Sequence, residues 1–180
     1  MDSLLGPINL STNHECGLLI EGFERPPCVL MNHNPPYYQG LIEQSGYTKA
    51  KDLYAYFLHK DQEYSPLIFQ LADRAAKKAS ITYRHLDLRN FEKEIETIFE
   101  IYNDAWEDNW GFVPMTPAEL THLAKELRPI VDPRLVLFAE VEGKPAAFSV
   151  SLPDINYAVG KVPRGKLLPT GLLRLLWNLK

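Results

Sequence analysis

Apolar and polar residues alternate with a helical period mainly in the second half of the chain. From Phe91 to Trp106 apolar residues recur every three or four positions, so they share one face of a predicted helix. Tyr64–Lys78 has a similar spacing and predicts a connecting helix. Between the two, the short run Ile81–Leu86 predicts a strand.

Turn and capping residues predict the elements that follow. Thr116-Pro117-Ala118-Glu119 has the spacing of a capping box, so we expect a helix to begin there and to end before Pro129. Arg134–Val141 and Ala146–Leu152 flank a glycine-containing turn, which predicts a β-hairpin. A last apolar helix is expected from Gly171.

The first 60 residues contain three short apolar runs, each predicted to form a strand: Gly6–Leu10, Cys28–Met31 and Lys51–Leu58. Asn34 before a proline is typical of a helix start, and Gly46 of a helix end. These elements together predict an α/β (α+β) fold: a mixed, mostly antiparallel sheet flanked by helices.

Composition narrows the class of protein. The chain has 180 residues, of which 46% are hydrophobic and 23% charged, and this balance is typical of a folded domain. A formal net charge of −4 gives no reason to expect nucleic acid as a partner. Two cysteines do not make a disulfide framework, and no secretory signal or stretch of about 20 apolar residues is present, so we expect a cytoplasmic protein.

The order strand, helix, helix, hairpin resembles the first half of the GCN5-related N-acetyltransferase (GNAT) fold. Within that family the chain is most similar to a bacterial group with two such modules in tandem. The resemblance implies three parts: residues 1–60 as the end of a first module, 61–79 as a connecting helix and 80–180 as the start of a second module. The segments that carry it are Gly6–Asn9, Ser11–Asn13, Asn34–Tyr47, Ile101–Phe112 and Leu135–Val150.

This resemblance implies an enzyme that transfers an acetyl group from acetyl-CoA to an amine, either a small molecule or a protein. The family's pyrophosphate-binding loop, Arg/Gln-x-x-Gly-x-Gly/Ala, is absent, because Arg164-Gly165-Lys166 lacks the second glycine. We therefore expect a fragment that is inactive alone, completed by self-association or by a further segment. The alternative is a non-catalytic binding module on a degenerate acyltransferase scaffold.

Candidate site residues fall in two groups. The resemblance implies that Asn34, Tyr37 and Tyr38 line the cofactor. A helix cap at Asn34 and tyrosines in the core would also explain these residues, and that interpretation is favoured. On the acceptor side, acids beside two indoles could recognise a cation, or the indoles could pin the loop while the acids face water. The catalytic candidates there are Glu107 and Asp108, and the substrate-binding candidates are Trp106, Asn109 and Trp110.

Two further segments contain residues with possible chemical roles. His14-Glu15-Cys16 does not suit a nucleophile and its base, because residues so close in sequence rarely point the same way. His14, Cys16, Cys28 and His33 do not have the spacing of zinc ligands, so we expect no metal. The tail from Lys161 to Lys180 has five basic residues, no acid and many leucines. Such a segment could lie on an anionic membrane or form half of a core. The core is favoured, and no membrane partner is expected.

Overall fold

The computed structural model describes residues 3–28, 30–78 and 80–178, apart from the side chain of Pro163. The chain divides into two compact units. Unit 1 comprises Met1–Asp52, Trp110–Val113 and Leu152–Lys180, and unit 2 comprises Leu53–Asn109 and Pro114–Ser151. Each unit groups residues that lie close together in space. The boundaries predicted near residues 60 and 80 are not those of these units, and they stay predictions.

The described residues form α-helices and three short strands. None of the described helices is long and apolar enough to span a bilayer. The helices are α1 Tyr38–Gln44, α2 Pro66–Lys78, α3 Phe91–Trp106, α4 Pro117–Leu127, α5 Ile155–Gly160 and α6 Gly171–Asn178, and the strands are β1 Ile81–His85, β2 Val136–Val141 and β3 Lys144–Val150.

Unit 2 contains an antiparallel sheet in the order β1-β2-β3. Ile81 pairs with Val141 across β1 and β2, and Val136 pairs with Val150 across the hairpin. The turn residues Glu142 and Gly143 have φ of 53° and 76°. Two consecutive positive φ values are the geometry that suits the twist of a two-residue hairpin. The predicted mixed α/β class with an antiparallel sheet is therefore confirmed.

The core of unit 2 lies between this sheet and α3. Leu86, Val136 and Phe138 are buried, and Phe91 and Ile98 of α3 pack against them. Those two residues belong to the apolar face that the spacing of α3 predicts, so burial of that face explains why the helix forms here.

Arg84 of β1 joins α3 to the sheet. Its guanidinium donates to both Oε atoms of Glu94 in α3 at 2.8 Å and to Glu140 Oε1 of β2 at 2.6 Å, and it lies 4.2 Å from the ring centre of Phe138. Burial by itself lowers the Arg84 pKa, but the hydrogen bonds that Arg84 donates to Glu94 and Glu140 outweigh it, so the pKa is raised. The buried Glu94 carboxylate is thus paired, as a buried charge must be.

Unit 1 has little regular structure, and asparagine side chains connect its backbone segments. The amide of Asn34 accepts from the Leu19 N–H at 2.8 Å and donates to the Leu19 carbonyl at 3.2 Å. Asn32 Nδ2 donates to the carbonyls of Cys16 and Gly17. Each amide offers both donors and acceptors, so it can pair irregular backbone that has no strand partner.

The three strands predicted in the first 60 residues do not form within the described residues. Ile8 makes a single bridge with Cys16, Leu30 lies in a turn with φ of 64°, and residues 51–58 are irregular. Val29 lies outside the described residues. A strand needs a neighbour to pair with, and a local run of apolar residues cannot supply one.

One helix start differs from the prediction, and one helix was not predicted. α1 begins at Tyr38 with Tyr37 as its N-cap, so Asn34 does not cap it, because its amide is bound to Leu19 instead. The sequence also missed α5, a six-residue helix whose N-cap Asp154 accepts from the Asn156 N–H. A helix this short has too few turns to show a period.

Candidate functional site

The end of α3 in unit 2 brings an aromatic pair to the surface. The rings of Tyr102 and Trp106 stack with centroids 5.7 Å apart and an interplanar angle of 28°. Burial raises the pKa of the Tyr102 hydroxyl, while Trp106 remains exposed. The half-buried tyrosine thus supports an exposed indole, which offers an apolar surface to a ligand.

Asn103 holds the chain before α4 against α3. Its Oδ1 accepts from the Met115 N–H at 3.1 Å, and its Nδ2 lies 3.3 Å from the Met115 carbonyl oxygen. Met115 itself is buried. The following residue, Thr116, accepts from the Glu119 N–H, and Glu119 Oε2 accepts from the Thr116 N–H, which completes the predicted capping box. The aromatic end of α3 is therefore part of a well-connected region.

The same helix end is strongly negative. Asp104, Glu107 and Asp108 are exposed, and no basic residue lies in the last turn of α3. The carbonyl groups at a helix C-terminus add a partial negative charge. Asn109 continues the segment in a turn, with its N–H donating to the Trp106 carbonyl at 2.9 Å. Carboxylates beside an exposed indole suit a ligand that combines a cationic amine with an apolar part.

Trp110, the other predicted indole, belongs to unit 1 and has different neighbours. The Lys51 Nζ lies 5.4 Å from the centre of its ring. Thr12 Oγ1 donates to the Gly111 carbonyl at 2.9 Å, and Asn13 Nδ2 donates to the Val113 carbonyl at 2.8 Å. The sequence analysis noted the segment around Thr12 and the segment around Gly111, but it could not pair them, because they lie about 100 positions apart in the chain.

The predicted cofactor residues lie at the start of α1. Tyr37 and Tyr38 are both exposed, with ring centroids 5.1 Å apart in an edge-on contact, so they are not core residues. The Asn34 amide is engaged with Leu19 and with the Pro35 carbonyl. The structure brings these three residues together, and their role toward a cofactor stays a prediction.

Among the described residues, no three His, Cys, Asp or Glu side chains are grouped so that they could hold a metal ion. Cys16 and Cys28 are both thiols. Arg164 and Gly165 lie in a short turn with φ of 55° and 67°. Whether a phosphate-binding loop is missing from this chain stays a prediction.

Two curated proteins are similar to nearly the whole chain. Bacterial ceramide synthase of Caulobacter vibrioides (strain NA1000 / CB15N) is 45% identical over 179 residues, which are 98% of this chain and 45% of that protein. Protein YghO of Escherichia coli (strain K12) is 42% identical over 176 residues, 97% of this chain and 44% of that protein. The chain thus spans less than half the length of these relatives. No family model and no solved structure matches it.

The expected membership of the GNAT family, with its tandem modules and its acetyl transfer, is wrong. The similar proteins are named bacterial ceramide synthase and YghO, and no family model supports an acetyltransferase. The alternative of a binding module on the same scaffold is withdrawn with it. The resemblance relied on short matching segments and on the order of elements, and a strand, two helices and a hairpin recur in unrelated α/β proteins.

Proposed function

We propose that this chain is part of an enzyme that joins a fatty acyl group to the amine of a long-chain amino alcohol. A ceramide is the amide that results from this reaction. The observation that carries the proposal is the 45% identity to bacterial ceramide synthase, which extends over 98% of the chain and so includes residues of both units.

The chemistry requires an activated acyl donor. The amine nitrogen attacks the acyl carbonyl, a C–N bond forms, the bond to the leaving group breaks and the nitrogen loses a proton. A carboxylate has no adequate leaving group, so we propose a thioester of coenzyme A, from which the thiol departs. A positioned base for the amine proton and a donor for the developing oxyanion are the two groups that such a site must supply.

Glu107 and Asp108 are proposed to act on the amine. Both carboxylates are exposed at the negative end of α3, where they can hold the ammonium form and accept its proton. In the same unit, the exposed Trp106 on its Tyr102 support offers an apolar surface for the hydrocarbon chain. Asn109 of the same unit is retained as a proposed contact to the acceptor. Asn34, Tyr37, Tyr38 and Trp110 belong to unit 1, and their expected roles stay predictions.

The test is an assay of the full-length protein with a long-chain acyl-CoA and sphinganine, with mass-spectrometric detection of the N-acyl product and measurement of released thiol. Equal amounts of amide and thiol are expected. Absence of the amide at every acyl chain length would contradict the proposal.

A matched pair of variants tests the two acids. Glu107→Gln/Asp108→Asn removes the proposed base, so kcat/KM should fall by about 10²-fold or more. Glu96→Gln/Glu100→Gln removes the same charge from exposed positions of α3, and its activity should stay near that of the parent. Equal losses in both variants would show that only the charge of the helix matters.

A further inference from the structure

Helix α6 in unit 1 exposes most of its apolar side chains and packs through a different side. Gly171 is buried and Leu175 is half-buried, so the side of α6 that carries them is the packed side. At 3.6 residues per turn the other leucines and the tryptophan form a stripe of about 140° on the opposite side. Leu173 is 68% and Trp177 is 82% exposed, and the rest of the stripe is also exposed: Leu172 and Leu176.

Close packing at Gly171 explains this orientation. A Cβ at that position would overlap the Lys166 carbonyl oxygen and approach Val162 Cγ1 to 3.0 Å. Only the side of the helix that carries the glycine can approach the backbone so closely. Because α6 packs through its glycine side, the leucine stripe on the opposite side is exposed.

Basic residues lie close to this stripe in the chain, and Arg174 lies beside it on α6 itself. Lys161, Arg164, Lys166 and Arg174 are exposed, and the sequence has no acidic residue from Lys161 to Lys180. The chain as a whole has a formal net charge of −4, so positive charge is concentrated in this segment. The preceding loop adds two exposed apolar side chains, Leu167 and Leu168. We call the exposed residues of 161–177 the basic-apolar surface.

We propose that the basic-apolar surface docks on an anionic membrane leaflet. Leucine and tryptophan on one face of a helix, bordered by lysine and arginine, are typical of helices that lie in the plane of a membrane. Tryptophan favours the boundary between headgroups and acyl chains, and the basic side chains attract anionic headgroups. A symmetric contact between two copies would place basic residues opposite basic residues, which opposes pairing through this surface.

The membrane surface goes beyond the proposed acyl transfer and does not depend on it. Vesicle binding is measured without an acyl donor or an amine, so failure of one proposal leaves the other unaffected. If both hold, docking brings the enzyme to the bilayer that contains its apolar acceptor.

The test is co-sedimentation of the protein with vesicles of phosphatidylglycerol and phosphatidylcholine in equal amounts, compared with phosphatidylcholine alone. Binding is expected on the anionic vesicles and should weaken at high salt. Leu173→Ser/Trp177→Ser removes apolar contacts and should weaken binding about tenfold or more. Lys166→Glu/Arg174→Glu should have a similar effect because it reverses two charges.

The matched control is Lys93→Glu/Lys125→Glu, which makes the same charge change at exposed positions of unit 2. It should bind as the parent does, and circular dichroism should show that every variant is folded. In a Trp106→Phe/Trp110→Phe variant, Trp177 is the remaining tryptophan, and its emission should shift to shorter wavelength on anionic vesicles. The proposal is overturned if anionic vesicles do not bind the protein, if the α6 variants bind unchanged, or if sedimentation shows that Trp177 mediates self-association instead.

Discussion

Single polar side chains decide how the irregular parts of this protein are held. Asn34 binds both backbone groups of Leu19 in unit 1, and Asn103 does the same for Met115 in unit 2. In each case one amide replaces a pair of backbone bonds that a strand would otherwise provide. An asparagine before a proline is typical of a helix cap, but the tertiary contact with Leu19 determined its role here.

Glu94 tests the value of the Arg84 ion pairs. Glu94→Gln removes the buried charge that binds Arg84 through two oxygens, so the free energy of unfolding should fall by about 1–3 kcal/mol. Glu96→Gln, at an exposed position of the same helix, should change it by less than about 0.5 kcal/mol. Urea denaturation measures both values. Equal values for the two variants would mean that Arg84 does not join α3 to the sheet.

The helices and strands of unit 2 agree closely with the apolar spacing and the turn residues of the sequence. α3 spans the segment that the apolar spacing predicts, and the hairpin turns at Glu142 and Gly143. These signals were reliable because a period of 3.6 residues and a positive φ are properties of neighbouring residues. In unit 1, α6 begins at the predicted Gly171, but the sequence did not show which face of the helix is covered.

The capping box of α4 offers a test at this scale. Thr116→Ala removes the acceptor for the Glu119 N–H and should lower the free energy of unfolding by about 1 kcal/mol. Thr121→Ala, an exposed threonine within the same helix, should be neutral or slightly stabilising because alanine favours helix interiors. Thermal or urea unfolding gives the comparison, and a larger loss for Thr121→Ala would rule out the cap as the cause.

The whole molecule combines two units whose segments alternate along the chain. Unit 1 takes Trp110–Val113 from between two parts of unit 2, so neither unit corresponds to one half of the sequence. Trp106 therefore belongs to unit 2 and Trp110 to unit 1, although the sequence analysis treated them as one motif. The candidate site at the end of α3 consequently uses Tyr102 and Trp106. In unit 1, Lys51 lies over the ring of Trp110, and Thr12 binds the next residue, Gly111.

Stability at low pH should depend on two partly buried aspartates of unit 2, Asp87 and Asp132. Hydrogen bonds from Arg89 and Arg134 lower the pKa of Asp87 and Asp132, respectively, from 3.8 to about 2. Because the folded pKa is the lower one, this stabilisation is present above pH 4 and is lost as the pH falls towards 2. Asp87→Asn/Asp132→Asn keeps an acceptor for each turn but removes the charge.

Urea midpoints at pH 7, 4, 3 and 2 measure this effect. The parent should lose more stability than the double variant between about pH 4 and 2, and the two curves should run parallel above that range. Parallel curves throughout would show that these ion pairs contribute nothing to folding, as happens for many exposed pairs.

The sequence by itself determined the mixed α/β class, the extent of α3, the capped start of α4 and the hairpin, because each depends on residues close together in the chain. Only the tertiary structure decided that the first 60 residues form no strands within the part described, that Asn34 binds Leu19, and that Arg84 meets Glu94 and Glu140. Pairing partners and the covered face of a helix are set by contacts between distant segments, and no local pattern contains that information.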